Sequence, residues 1–186
     1  MSTTAQPDDT APLHVRPVQG NVVKRERYAH AHERLKLARK MGFHIEATMI
    51  CESILSDRMH SHFHWRVTVV QSLDLETLPD RYKGRLVFDR PVNYTLLAGL
   101  LKLDFDDLKK EHYRKLPSRL LAWALLRNKA AHGYAFTYPA QKTYEEDHAA
   151  YREKCEESSA TGAELVRLMT NWDRACRSAH RKSAVR

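Results

Sequence analysis

Arg127, Asn128 and His132, in the run Arg127-Asn128-Lys129-Ala130-Ala131-His132-Gly133-Tyr134, are the side chains of this 186-residue sequence best suited to chemistry on a phosphodiester. Cleaving an RNA strand without a metal needs three things: a base for the ribose 2′-OH, a cation to balance charge on the phosphorane, and an acid for the departing 5′-oxygen. A histidine exchanges protons near neutral pH, whereas an arginine stays charged and offers phosphate oxygens a planar fork. His132 and Arg127 suit those roles. Asn128 can orient the phosphate or the imidazole through its amide, and Lys129 adds a supporting cation.

These residues need an element to hold them. Leu120-Leu121-Ala122-Trp123-Ala124-Leu125-Leu126 is a nearly all-apolar run, so a buried helix should emerge into polar surroundings only at Arg127. Pro117 suits a first helical position and Gly133 a C-terminal stop, which predicts a helix over 118–132. Five residues at about 100° each turn His132 roughly 140° around the axis from Arg127, so one helix does not set the two on one stripe. At the helix end His132 can still swing toward a cleft, and a second copy across a two-fold axis would bring two motifs together. The same residues also have a purely structural reading, in which Arg127 forms a buried ion pair with Glu46 or Glu52 upstream and His132 helps to end its helix. In a mixed reading, one of those glutamates positions Arg127 within the site.

The rest of the chain reads as helical. After a polar, proline-bearing leader, expected to be disordered over 1–21, comes a helix over about 24–41 that Gly42 should stop. A longer helix follows over 44–65, with Ile45, Met49, Ile54, Leu55, Met59 and Phe63 as its apolar face. Pro79, Gly84 and Pro91 make 72–94 a loop or insertion with at most short elements. A short helix over 94–103 should precede a second one over 106–115, whose acidic start at Asp104, Asp106 and Asp107 would cap free amides. Residues 144–179 should form one long helix, or two with a break at the weak helix formers of 158–162. The expected architecture is all-α, an up-and-down bundle: a single domain over 22–180, then a basic tail over 181–186.

The pattern Arg127-x4-His132-x-Tyr134 resembles the signature of the HEPN superfamily, small all-α proteins that include RNase toxins and the RNase domains of antiviral systems. Asn128 after the arginine and Gly133 after the histidine strengthen the likeness. The run from Ile45 to Met59, with Glu46, Glu52, Ser53, Ile54 and Leu55, is similar to the long second helix of these domains, and Leu96 to Leu101 is similar to the apolar segment before the motif helix. The resemblance spans about 25–180. It implies a HEPN-like bundle with a loop insertion between the second and third helices, and a metal-independent endoribonuclease of toxin, phage-defence or RNA-processing type. Arg127, Asn128 and His132 would be catalytic at a homodimer interface, Lys129, Tyr134, Glu46 and Glu52 would support them or contact RNA, and no cofactor is implied. In the toxins that carry the final tyrosine, that residue can be adenylylated by a nucleotidyltransferase-type antitoxin. Such a modification of Tyr134 would repel RNA through added negative charge; alternatively its ring packs behind the motif. The rival function from another class is a non-catalytic module that binds RNA, nucleotide or a partner protein in the same basic cleft.

Composition agrees with a polyanionic partner. The formal net charge is +8, and a basic surface supplies sequence-independent affinity for phosphate backbones. Lys24, Arg25, Arg27, Arg34, Lys36, Arg39 and Lys40 crowd the first helix, while Arg174, Arg177, Arg181, Lys182 and Arg186 crowd the C-terminal part. Cys51, Cys155 and Cys176 form an odd set without C-x-x-C spacing, which points to plain thiols in a reducing compartment. No apolar leader suggests a signal peptide or a membrane anchor, so the expected place is the cytoplasm. His60 and His64 stand one helical turn apart, but no further ligand lies at metal spacing, and these histidines are expected to be structural, exposed or in contact with RNA. The glycine-rich phosphate loops, the nucleophile-elbow serine and the H-E-x-x-H zinc motif are all missing from the sequence.

Overall fold

The computed structural model describes residues 22–86, 92–103, 111–133 and 143–183, and all regular structure among them is helical. Helix α1 is Val22–Lys40, α2 is His44–Trp65, α3 is Tyr94–Leu103, α4 is Leu116–His132 and α5 is Tyr144–Ser183. Gly42, at φ +75°, turns the chain between α1 and α2 in the left-handed region that a glycine enters without strain. Past Trp65 the helix continues as a π-helical turn over Arg66–Val70 and stops where Gln71 takes a left-handed conformation at φ 53°. Pro117 stands in the first turn of α4, where its missing N–H costs nothing.

Helices α2 and α5 pack along each other; α1 packs on α2, α4 packs mainly on α5 and also touches α2, and α3 lies on α2 and α4. Their shared core holds Leu55, Met59, Phe63, Leu97, Leu101, Leu120, Trp123, Leu165, Met169 and Trp172, all fully buried. The insertion after α2 contributes a short 3-10 turn at Leu75–Thr77 and lays Leu78, Tyr82 and Leu86 onto this core. Among the described residues, no helix is long and apolar enough to cross a membrane.

Several expectations need correction. Ile45 and Met49 are 42% and 47% exposed; the buried face of α2 begins instead with Ala47, Thr48 and Cys51 and continues through Ile54, Leu55, Met59 and Phe63. Of the two alternatives for the C-terminal part, the single long helix holds, unbroken for 40 residues from Tyr144 to Ser183; the correction is to the tail, whose residues 181–183 belong to this helix. The acidic start of the helix expected over 106–115 lies outside the described residues, and Glu111–Tyr113 at its end is a 3-10 turn. The leader over 1–21 and the last three residues also lie outside them.

The small residues of 158–162 are there for contact, not for a break. Trp123 donates its indole N–H to the carbonyl oxygen of Ser158 at 2.8 Å, and Ser158, Ser159 and Gly162 are all buried. A β-carbon on Gly162 would lie 2.8 Å from the Trp123 ring and 3.0 Å from Cβ of Cys51, closer than carbon atoms pack. Alanine gains up to about 1 kcal/mol of helix propensity over glycine, but overpacking a rigid core costs about 1–3 kcal/mol or more. The hydrogen-bonded indole has little room to yield, so Gly162→Ala should lower stability by roughly 1 kcal/mol or more in urea unfolding. A more stable variant would show that α5 can lift off Trp123 without cost.

Candidate functional site

Helix α4 brings the motif to the edge of the core in stages. Leu120, Trp123 and Ala124 are buried, Leu121 and Leu126 are half-buried, and Leu125 is 68% exposed. Apolar residues thus line the inner face of α4, and Leu125 stands out on its surface. From this helix the motif residues leave in two directions, as five residues of helical rotation require.

Arg127 turns toward α2 and α3. Its Nη1 donates to Oε1 of Glu52 at 2.6 Å, and the two side chains are only 14% and 20% exposed. Its guanidinium stands 5.5 Å from the centre of the Tyr94 ring, a distance at which the ring face attracts a cation. Tyr94 is fixed in turn by donating its hydroxyl to the Leu120 carbonyl at 3.0 Å. Burial raises the pKa of that phenol, against the opposing charge of Arg127, and keeps it protonated. The ion pair is joined by a single bond: Nε of Arg127 and Oε2 of Glu52 are both buried without a hydrogen-bond partner. Glu46, the other glutamate considered for Arg127, is engaged by Nε of Arg34 at 2.7 Å.

His132 turns the other way. With Asn128, Lys129 and Gly133 it forms one wall of an open cleft of about 360 Å³, and Asp147, Ala150, Tyr151 and Lys154 of α5 form the other. Asn128, Lys129 and His132 are exposed. Tyr151 donates its hydroxyl to the Ala130 carbonyl at 2.8 Å, satisfying one of the carbonyls that a helix end leaves free. Gly133 has an ordinary helical φ of −65°. Its smallness serves contact instead: a β-carbon there would lie 3.1 Å from the Tyr151 ring. Among the lining residues Lys129 and Lys154 carry positive charge and Asp147 carries negative charge, so the cleft offers an anion two cations. Tyr134 lies outside the described residues.

Asp147, Tyr151 and Lys154 were not among the residues singled out from sequence. Their spacing with Ala150, at i, i+3, i+4 and i+7, marks one face of α5, but nothing in the sequence pairs that face with the end of α4. Of the histidines in His60-Ser61-His62-Phe63-His64, His62 is turned fully inward and bonds Asp173. Among the described residues, no group of three or more His, Cys, Asp or Glu side chains is arranged to hold a metal ion. Cys51, Cys155 and Cys176 are buried free thiols, and burial pushes Cys51 up to about 12, against the weaker pull of Arg39. A thiol so placed is not a nucleophile at neutral pH.

Compared with protein-family models, curated proteins and solved structures, the chain matches none.

Proposed function

We propose that this chain is a HEPN-type, metal-independent endoribonuclease that works as a homodimer. The observation that carries the reading is the cleft at the end of α4, where Asn128, Lys129 and His132 of the motif share one solvent-open wall opposite Lys154 and Asp147. His132 exchanges protons with the ribose 2′-OH and the leaving 5′-oxygen, Lys129 and Lys154 hold the strand by its phosphates, and Asn128 orients the scissile group. Arg127 supplies the fixed cation for the phosphorane. Glu52 and the Tyr94 ring hold its guanidinium in place before substrate arrives, and such preorganisation makes electrostatic catalysis effective.

Two features support a second copy of the chain. Arg127 and His132 leave α4 in different directions, so two copies related by a two-fold axis can bring the arginine of one to the histidine of the other. Ile45, Met49 and Leu125 place large apolar side chains on the outer surfaces of α2 and α4, the two helices joined by the Arg127–Glu52 bond. Covering such a surface is what a dimer interface does. A toxin, phage-defence or RNA-processing setting suits this activity, and a nucleotidyltransferase-type antitoxin acting on Tyr134 would switch it off.

The test is incubation of the purified protein with mixed cellular RNA in excess EDTA, reading the fragments and their ends. Fragments that end in 2′,3′-cyclic phosphate are expected, from a protein that sediments as a dimer. Intact RNA, bound or not, would overturn the nuclease reading in favour of a binding module.

A further inference from the structure

A second concave surface lies between α1 and α5, and its chemistry differs from that of the motif cleft. His32, Leu35, Lys36 and Arg39 of α1 form one wall, and Ala163, Val166, Arg167, Thr170 and Asn171 of α5 form the other, enclosing about 460 Å³. Both sets recur at i, i+3, i+4 and i+7, so each wall is a single helical face. Leu35, Ala163 and Val166 make an apolar floor, with Leu35 and Val166 buried. Lys36, Arg39 and Arg167 stand exposed along the rim on both sides.

No carboxylate is among the lining residues. Among the described residues, none of these three cations forms an ion pair, although Arg34, five residues before Arg39, and Arg119 both find glutamates. His32 is held below its ordinary value by burial first, then by the positive charges of Arg58, which lies outside the groove, and of Lys36. Asn171 adds a neutral donor, and the Thr170 hydroxyl is buried without a hydrogen-bond partner. Three cations spread over two walls above an apolar floor match a strand that presents phosphates to the rim and sugar or base surface to the floor.

We propose that this groove is a second nucleic-acid site, which binds the phosphates of an RNA strand away from the motif cleft; this rests on RNA being the partner. From Asp147–Lys154 to Ala163–Thr170 the chain advances 16 residues along α5, about 24 Å and roughly 160° around the helix. The groove therefore contributes grip on a longer strand and no chemistry.

The test uses a fluorescent single-stranded RNA with every 2′-OH methylated, so that binding is read by anisotropy without cleavage, over a series of salt concentrations. In the full chain, Lys36→Ala, Arg39→Ala and Arg167→Ala combined should weaken binding about ten- to a hundredfold at low salt. The log–log salt dependence should fall by about 2, since each lost contact on a single strand removes roughly 0.7. A control variant, Arg81→Ala with Lys83→Ala and Arg85→Ala, removes the same charge from the exposed insertion and should change affinity less than threefold. Equal losses in the two variants, or no loss in the first with its circular dichroism unchanged, would overturn the groove. So would efficient competition by free ATP, which would make it a nucleotide pocket. Because the methylated strand cannot be cleaved, the two readings separate. Groove-dependent binding without any cleavage of ordinary RNA would keep the groove and sink the nuclease; cleavage with groove-independent binding would do the reverse.

Discussion

Replacing His132 by alanine is expected to lower RNA cleavage by about two to four orders of magnitude, the usual span of a lost proton-transfer group. Stability and strand affinity should hardly change, because His132 is exposed on the last residue of α4 and, among the described residues, no side-chain hydrogen bond or ion pair runs through it. Arg127→Ala should lose as much activity for a different reason and should also destabilise the chain, since it leaves the Glu52 carboxylate buried and unpaired. The informative experiment mixes the two inactive variants. If the working site takes Arg127 from one copy and His132 from the other, random exchange makes about half of the dimers mixed. Each mixed dimer then holds one complete site of two, which restores about a quarter of wild-type activity. A site built within one chain would stay dead in the mixture, and that outcome would remove the dimeric mechanism while leaving the histidine's role standing.

How far the sequence could carry this reading depended on the range of each interaction. Helix ends are local, so Gly42 as a stop and α2 over 44–65 could be read directly, as could Pro117 in the first turn of α4. The rotation that separates Arg127 from His132 is equally local. Phase and partner choice are not. The largest apolar side chains at the start of α2, Ile45 and Met49, suggest one stripe, whereas the packed face uses Ala47, Thr48 and Cys51; at Cys51 the close approach of Gly162 on α5 leaves no room for a larger group. Residues 158–162 gave the signal of a weak helix, and propensity alone could not tell a break from a close crossing; Trp123 decides the matter from 35 residues away. Glu46 and Glu52 were equal candidates for Arg127 until the pairing of Glu46 with Arg34 separated them. The second wall of the cleft, Asp147, Tyr151 and Lys154, depends on how α5 docks on α4, and no local pattern encodes that.

Replacing Asp173 by alanine should be the most damaging polar substitution among the described residues. Its carboxylate is buried on α5 and accepts from Nδ1 of His62 at 3.1 Å and from Nε of Arg177 at 3.0 Å, with Nη1 of Arg58 3.9 Å away. Arg177 also donates to the Ser61 carbonyl at 3.1 Å, so one cluster of charge fastens α5 to α2 at the end where the Trp65 and Trp172 rings pack around His62. Burial alone would raise the pKa of Asp173, but the His62 bond and the Arg177 charge outweigh it and hold the carboxyl below its ordinary range. Burial is the leading influence on His62 too and holds it below its ordinary value, so it is neutral at pH 7. Alanine would leave two arginines facing an imidazole with no anion between them, and breaking a buried pair in this way costs about 3–5 kcal/mol. For a chain of this length that corresponds to a fall in Tm on the order of 10 °C, read by calorimetry or circular dichroism. The wild type should show the same cluster as acid lability. As pH falls from about 6.5, His62 protonates in the unfolded chain before it does in the folded one, so stability declines. A second loss follows below about 3.8, as Asp173 is protonated through its depressed folded value. His62→Gln should flatten the first decline and shrink the second, which Arg177 alone then sustains. If Asp173→Ala melted within a degree or two of wild type, the cluster would be a solvated surface network and the α2–α5 contact would rest on apolar packing alone.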